Sequence, residues 1–307
     1  MAFAGDVHFE GRTKARLNVA PPQQALGPIS KQLADADLSM VNLETAITDR
    51  GAPQAKAFTF RAPARSLKVL QDSGVDMVSL ANNHAVDFGQ VGLTDSLAAK
   101  ASSPIPVVGL GKDAEEAYAP HVAEVKGVKV AVLAASQVDE ETNKNWRAGA
   151  GKPGIASALD EAALLDAVAR AKAQAPVVLV YLHWGQETNP CPTAAQTALA
   201  RKLASAGVTA VVGTHAHTLL GSGMLDSTYV AYGFGNFLWY NSSSAGGTET
   251  GVTTLTITAG KVTGEEFTPA QINGQGVPVP HTGAQAAAAV KRRDGLRGCT
   301  GLAPVGR

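Results

Sequence analysis

The chain has 307 residues, 45% of them hydrophobic and 17% charged, with 26 Lys+Arg balanced by 26 Asp+Glu. That length holds one large α/β domain or two small ones and buries a substantial core. The balanced charge excludes a basic field for nucleic acid or an anionic membrane, and no apolar run approaches the ~20 residues a membrane-spanning helix needs.

In chain order, apolar runs occur at 2–4, 38–41, 75–80, 128–134, 177–182 and 208–212. They are near-continuous rather than alternating, as in strands covered on both faces. Helix-compatible stretches at 64–73, 92–101, 159–174 and 193–206 separate them. In the third, Leu164, Leu165, Val168 and Ala171 share one face, and Asp160 and Glu161 stand near the N-terminus, where the helix dipole favours anions. This βαβα rhythm predicts a layered α/β fold. After residue 225 the rhythm changes: STYVAYGFGNFLWYN and TGVTTLTITAGKVTGEEFTP predict two or three antiparallel strands without intervening helices. From Gly274 the chain is rich in Gly, Ala and Pro with late basic residues, which predicts a tail packed on the surface and a solvated face at Lys291–Arg293. No repeat or linker divides the chain before residue 260, so 1–260 reads as one domain and 261–307 as a C-terminal extension.

The informative residues stand where predicted strands become loops. They are Asp6 and His8 in GDVHF, Glu44 in VNLET, Asn83 in LANNHA, His183 in YLHWG, and His215 and His217 in GTHAHT. Loops beyond the carboxyl ends of strands converge on one edge of an open α/β sheet, so these side chains are expected to meet. Two divalent cations about 3.5–4 Å apart need a bridging carboxylate and a mixed nitrogen and oxygen shell. Imidazole with carboxylate and carbonyl oxygen suits Mn, Fe or Zn better than Ca or Mg. Cations of this kind acidify water into a nucleophile, so no Ser or Cys nucleophile is needed, and the chain carries no GxSxG and no P-loop.

This series of motifs resembles the calcineurin-like metallophosphoesterase superfamily. Within it, NLETAIT, SLANNHAVDFG, HWGQE, GTHAHTLLG and YGFGNF resemble the CapA branch, named for poly-γ-glutamate capsule synthesis. The resemblance covers roughly residues 1–260 and implies a four-layer αββα sandwich. It implies one metal on Asp6, His8 and His217, a second on Asn83, His183 and His215, and Glu44 bridging them. His84 would be the general acid or leaving-group stabiliser. Two departures stand out: Asn42-Leu43-Glu44 replaces the superfamily's usual Gly-Asp-x-x-Asp bridging motif, and the acid expected directly after the catalytic histidine is replaced by Asp87, three residues on.

The resemblance implies a metal-dependent hydrolase acting on an anionic polymer, peptide or phosphoester in capsule or cell-surface metabolism, with membrane partners of the capsule machinery. Two rivals stand beside it: a metal-containing binding or assembly component, and a peptide isomerase or epimerase working by α-proton abstraction. Arg12 and Arg61 are candidate bidentate clamps for a carboxylate or phosphate. Asn236, flanked by Gly233 and Gly235, is a candidate pocket residue, and Gln137 and Glu187 are candidates for its rim. Trp239 and Tyr240 read as packing, and His121 and His281 as structural or exposed. Cys191 and Cys299 lie in turn-rich segments of an otherwise cysteine-free chain, which favours a disulfide and an oxidising compartment over two free thiols. The strand-like start MAFAGDV fits a cytosolic chain or one whose export signal has been removed. The cysteines favour the second, at the bacterial cell surface.

Overall fold

Two β-sheets stacked face to face gather the apolar runs, and the computed structural model describes them within residues 1–240 and 246–306. The first sheet runs in the order Pro278–Pro280, Lys261–Ile272, Glu249–Thr258, Ala2–Val7, Ser39–Leu43, Met77–Ser79, Val107–Val108, and Asn236–Leu238 also pairs with Ala2–Val7. The second runs Ser222–Leu225, Thr228–Ala231, Ala210–His215, Val177–Trp184, Val128–Ser136, His121–Val125. In the second sheet the central strands are parallel and both edge strands antiparallel; in the first, the strands from Ala2–Val7 to Val107–Val108 are parallel and the three on the other side antiparallel.

The period-2 geometry of strands sorts these apolar runs into layers. Along Val177–Trp184, the side chains of Val178, Val180, Leu182 and Trp184 pack outward with Leu164, Val168, Leu199 and Leu203 of the helices Glu161–Lys172 and Ala194–Ser205. The alternate residues Val177, Leu179 and Tyr181 face inward, against Phe3, Met40 and Met77 of the first sheet. On the far side, Leu33, Leu67, Leu70 and Leu93 of three further helices cover the first sheet. The result is a four-layer αββα sandwich. Tyr181 crosses its middle, donating from its hydroxyl to the Ala4 carbonyl (2.8 Å).

Two sequence expectations change. STYVAYGFGNFLWYN does not form an antiparallel pair: Thr228–Ala231 runs parallel to Ala210–His215 in the second sheet, and Asn236–Leu238 runs parallel to Ala2–Val7 in the first. The chain crosses between sheets at Gly233–Gly235, and Gly5 allows this approach, since a Cβ there would lie 1.8 Å from the Gly235 carbonyl oxygen. The Lys291–Arg293 run is not uniformly solvated either. It lies on the helix Gly283–Gly295, where Arg293 is 6% exposed, ion-paired with Glu265 and 5.1 Å over the Phe267 ring.

Cys191 and Cys299 form a disulfide, with Cα atoms 5.8 Å apart. It ties the end of the chain to the loop after the Val177–Trp184 strand. No helix among the described residues is long and apolar enough to cross a membrane.

Candidate metal centre

The carboxyl ends of both parallel sheets open on the same side, and register brings the predicted residues together. Asp6 is paired across the first sheet with Asn42 on one side and Asn236 on the other. Asn42 Nδ2 donates to Asp6 Oδ1 (2.8 Å), and the His215 amide donates to Asp6 Oδ2 (3.2 Å), so Asp6 joins the two sheets. Strand Val177–Trp184 delivers His183, and the Ala210–His215 strand ends on His215.

The backbone then turns through left-handed conformations at both His215 (φ 90°) and His217 (φ 53°). Such geometry at a non-glycine residue costs about 1–3 kcal/mol and clusters at functional sites.

Glu44 lies at the focus. Its Oε1 is 3.5 Å from His183 Nε2, 3.8 Å from His84 Nε2 and 3.9 Å from His217 Nε2. The carboxyl is completely buried, and neither oxygen has a hydrogen-bond partner among the described residues. His215 Nδ1 is likewise buried and unpartnered. Three groups have donor atoms within 4.8 Å of one another: Glu44–His183–His215, Asp6–Glu44–His217 and Glu187–His215–His217. Asn83 joins them through its Oδ1, 2.9 Å from His183 Nε2.

Burial, reinforced by the Asp6 carboxylate, pushes the Glu44 carboxyl well above the usual range. Burial also drives His8, His183 and His215 well below the usual imidazole value, leaving neutral rings with a lone pair to offer. His217 moves the other way: burial opposes its charge, but the Asp6 carboxylate at 3.4 Å outweighs it. Neutral imidazoles around an orphaned buried carboxyl form a costly arrangement that divalent cations satisfy, so the donor set fits the implied metals.

His84 sits beside this cluster with its Nδ1 2.6 Å from Asp87 Oδ2. Burial lowers its pKa although Asp87 opposes that shift. The i, i+3 spacing works because residues 82–88 turn tightly after the Met77–Ser79 strand. His8 stands at the edge. Its ring stacks on Phe60 (4.6 Å) and meets the edges of Trp239 and Tyr240, with Nδ1 3.0 Å from the Glu10 amide and Nε2 3.3 Å from the Tyr240 amide. Asn236 Oδ1 lies 2.9 Å from His217 Nδ1 and so orients that ring. Trp239 packs on the His217 ring as well as on His8. The two arginines are not brought to the cluster: Arg12 donates to the Gly274 carbonyl, and Arg61 lies over the Phe88 ring.

Sequence reasoning missed several supporting residues. Lys56 Nζ donates to Asp87 Oδ1 and to the Asn83 carbonyl (both 2.7 Å). Glu140 Oε2 accepts from Asn83 Nδ2 (3.1 Å), which turns the Asn83 oxygen toward His183. Asn82 donates to Asn42 Oδ1 and to the Leu43 carbonyl, locking the Glu44 and Asn83 loops together. Only the doubled Asn82-Asn83 offered a signal. Lys56 and Glu140 lie in ordinary-looking polar segments, and proximity to the site is all that marks them. Beside His84, a cavity of about 430 Å³ is lined by Lys56, Phe58, Lys144 and the acids Asp139, Glu140, Glu141 and Glu187.

The family described as Bacterial capsule synthesis protein PGA_cap matches residues 1–241. The chain belongs to this family. It is 32% identical over 201 residues to the PGA biosynthesis protein CapA of Bacillus subtilis (strain 168), covering 64% of this chain and 52% of that protein. It is 27% identical over 251 residues to the capsule biosynthesis protein CapA of Bacillus anthracis, covering 78% and 59%. The chain thus spans between half and three-fifths of these relatives' lengths. Among solved structures, a hypothetical protein from Thermus thermophilus superposes with TM-score 0.53 at 18% identity, over 88% of this chain and 98% of that one. A putative 5'-nucleotidase from Staphylococcus aureus superposes with TM-score 0.50 at 15% identity, over 96% and 57%. The fold is of the metallophosphoesterase type, and the chain is CapA-like.

Proposed function

We propose that this CapA-like chain is a cation-dependent hydrolase acting on a phosphoester or γ-glutamyl bond of a cell-surface polymer, outside the cytoplasmic membrane. The observation that supports it best is the convergence of three imidazole Nε2 atoms on the orphaned Glu44 carboxyl. Asp6, Glu44, Asn83, His183, His215 and His217 would hold two divalent cations, Mn, Fe or Zn by donor type, with His8 flanking them. Bound there, the cations would supply Lewis-acid polarisation of the scissile group and acidification of water. Asp6, held by Asn42 on its own sheet, takes the His215 amide from the other and so ties the two sheets together at the site. Asp87, fixed by Lys56, orients His84, whose Nε2 faces the site and exchanges a proton with the leaving group. The capsule role follows the names of the Bacillus relatives, and the disulfide fits an extracytoplasmic setting. Membrane proteins of the capsule machinery would be the partners, and residues 261–307 would be a C-terminal extension of the same domain, continuing its first sheet.

Hydrolysis of an aryl phosphate and of a γ-glutamyl anilide, with chelator and Mn²⁺ add-back, tests this. The expected result is cation-restored turnover on one of them, abolished in His84→Ala/Glu44→Ala; hydrolysis retained in that double variant contradicts the assignment. One observation favours a second reading. With Asp87 engaging Nδ1, a neutral His84 presents the Nε2 lone pair and is set up as a base, as isomerisation by α-proton abstraction requires. Solvent deuterium entering a γ-glutamyl peptide without bond cleavage would select it. Cation binding with neither reaction would select a capsule-assembly role.

A further inference from the structure

We infer that Glu187 is itself a ligand of the cation centre, supplied by the loop after the Val177–Trp184 strand and closing the centre on its solvent side. This rests on the metal reading proposed above and adds a residue to it.

Glu187 lies with His215 and His217 in one group whose donor atoms are within 4.8 Å of one another. His215 is 3% exposed and its Nδ1 has no partner, so a buried donor atom within this group is left unused by the protein. The loop is tied to the histidines by its backbone: the Thr188 amide donates to the carbonyl of Ala216, the residue between them (2.8 Å). Thr188, His215 and His217 all have positive φ (61°, 90° and 53°). A β-branched residue such as Thr188 in that conformation is a backbone outlier, and its bond to the residue between two further positive-φ positions marks a geometry that surrounding structure imposes. What it achieves is placement of the Glu187 carboxylate against both imidazoles. The carboxylate is exposed, so it stands there without the desolvation penalty carried by Glu44. Glu187 would add a third carboxylate to Asp6 and Glu44, on the exposed side of the centre.

The test is Mn²⁺ titration by calorimetry and the visible spectrum of the Co²⁺-loaded protein, on wild type, Glu187→Gln and Glu141→Gln. Glu141 lines the same cavity wall and controls for loss of one negative charge. The inference expects Glu187→Gln to weaken at least one cation equivalent ten-fold or more and to shift the Co²⁺ absorption, with Glu141→Gln staying within two-fold of wild type. Wild-type affinity and spectrum in Glu187→Gln overturn it, as do equal losses in the two variants, which would make the effect one of general charge. A wild-type protein that binds neither cation overturns the metal reading itself.

Discussion

Two buried glutamates lie at opposite ends of the sandwich and are treated in opposite ways. Glu265, on strand Lys261–Ile272, is ion-paired with Arg293 and accepts from Tyr229 (2.5 Å) and Ser222 (2.8 Å). Burial alone would raise its pKa, but these donors outweigh it and hold the carboxyl below the usual range. Glu44 is more deeply buried, has no donor on either oxygen, and lies well above the usual range. A buried polar group is hydrogen-bonded wherever stability is the only requirement, so an orphan amid imidazoles points to a missing charge. One end of the molecule is built to be complete, the other to be completed.

The largest expected effect comes from the disulfide, which anchors the end of the chain to the loop that carries Glu187. The disulfide closes a separation of 108 residues, and in the chain-entropy model its loss costs ~4–5 kcal/mol. Denaturant unfolding of Cys191→Ser/Cys299→Ser should therefore show a large fall in midpoint. Next, Arg293→Ala leaves Glu265 buried and unpaired, which should cost about 3–5 kcal/mol. An effect below ~1 kcal/mol would mean Glu265 is rescued by its hydroxyl donors and would blur the contrast.

At the other end the effects should be read on metal. Glu140→Ala frees the Asn83 amide to flip and should weaken cation binding about 10–100-fold, with Glu140→Gln, which keeps an acceptor, nearer wild type. In chelator, Glu44→Gln should be neutral or stabilising, because it removes a carboxyl no group satisfies. Destabilisation there comparable to Arg293→Ala would show that Glu44 is structural.

pH sharpens the same comparison. Since Glu265 has a lowered folded pKa, its contribution is present above its unfolded value and lost as pH falls through the folded one. Since Glu44 has a raised folded pKa, its contribution in chelator is present at low pH and lost as pH rises from its unfolded value through the folded one. Unfolding measured across acid pH should therefore show a shallower acid-side slope in Glu265→Gln and a weaker opposing slope in Glu44→Gln.

The ends differ just as much in how far they are legible in the sequence. The parallel strands read as continuous apolar runs, and the VNLET, LANNHA, YLHWG and GTHAHT segments stand at their ends, so Glu44, Asn83, His183 and His215 are expected to converge. The complete end left no such trace. Glu265 and Arg293 are 28 residues apart in segments that look solvated, and only the fold packs one over the other. The crossing at Gly233–Gly235 was hidden because Thr228–Ala231 and Asn236–Leu238 are short and their partners lie in different sheets. Lys56 and Glu140 were missed for a related reason: each reaches the site only through its side-chain tip, and periodicity does not encode such contacts.

The most direct test is elemental analysis of wild type and His217→Ala after dialysis against limiting chelator. The account predicts about two Mn, Fe or Zn per wild-type chain and a reduced content in His217→Ala. Wild-type protein that holds no transition metal, even after exposure to excess Mn²⁺ and Zn²⁺, would contradict it.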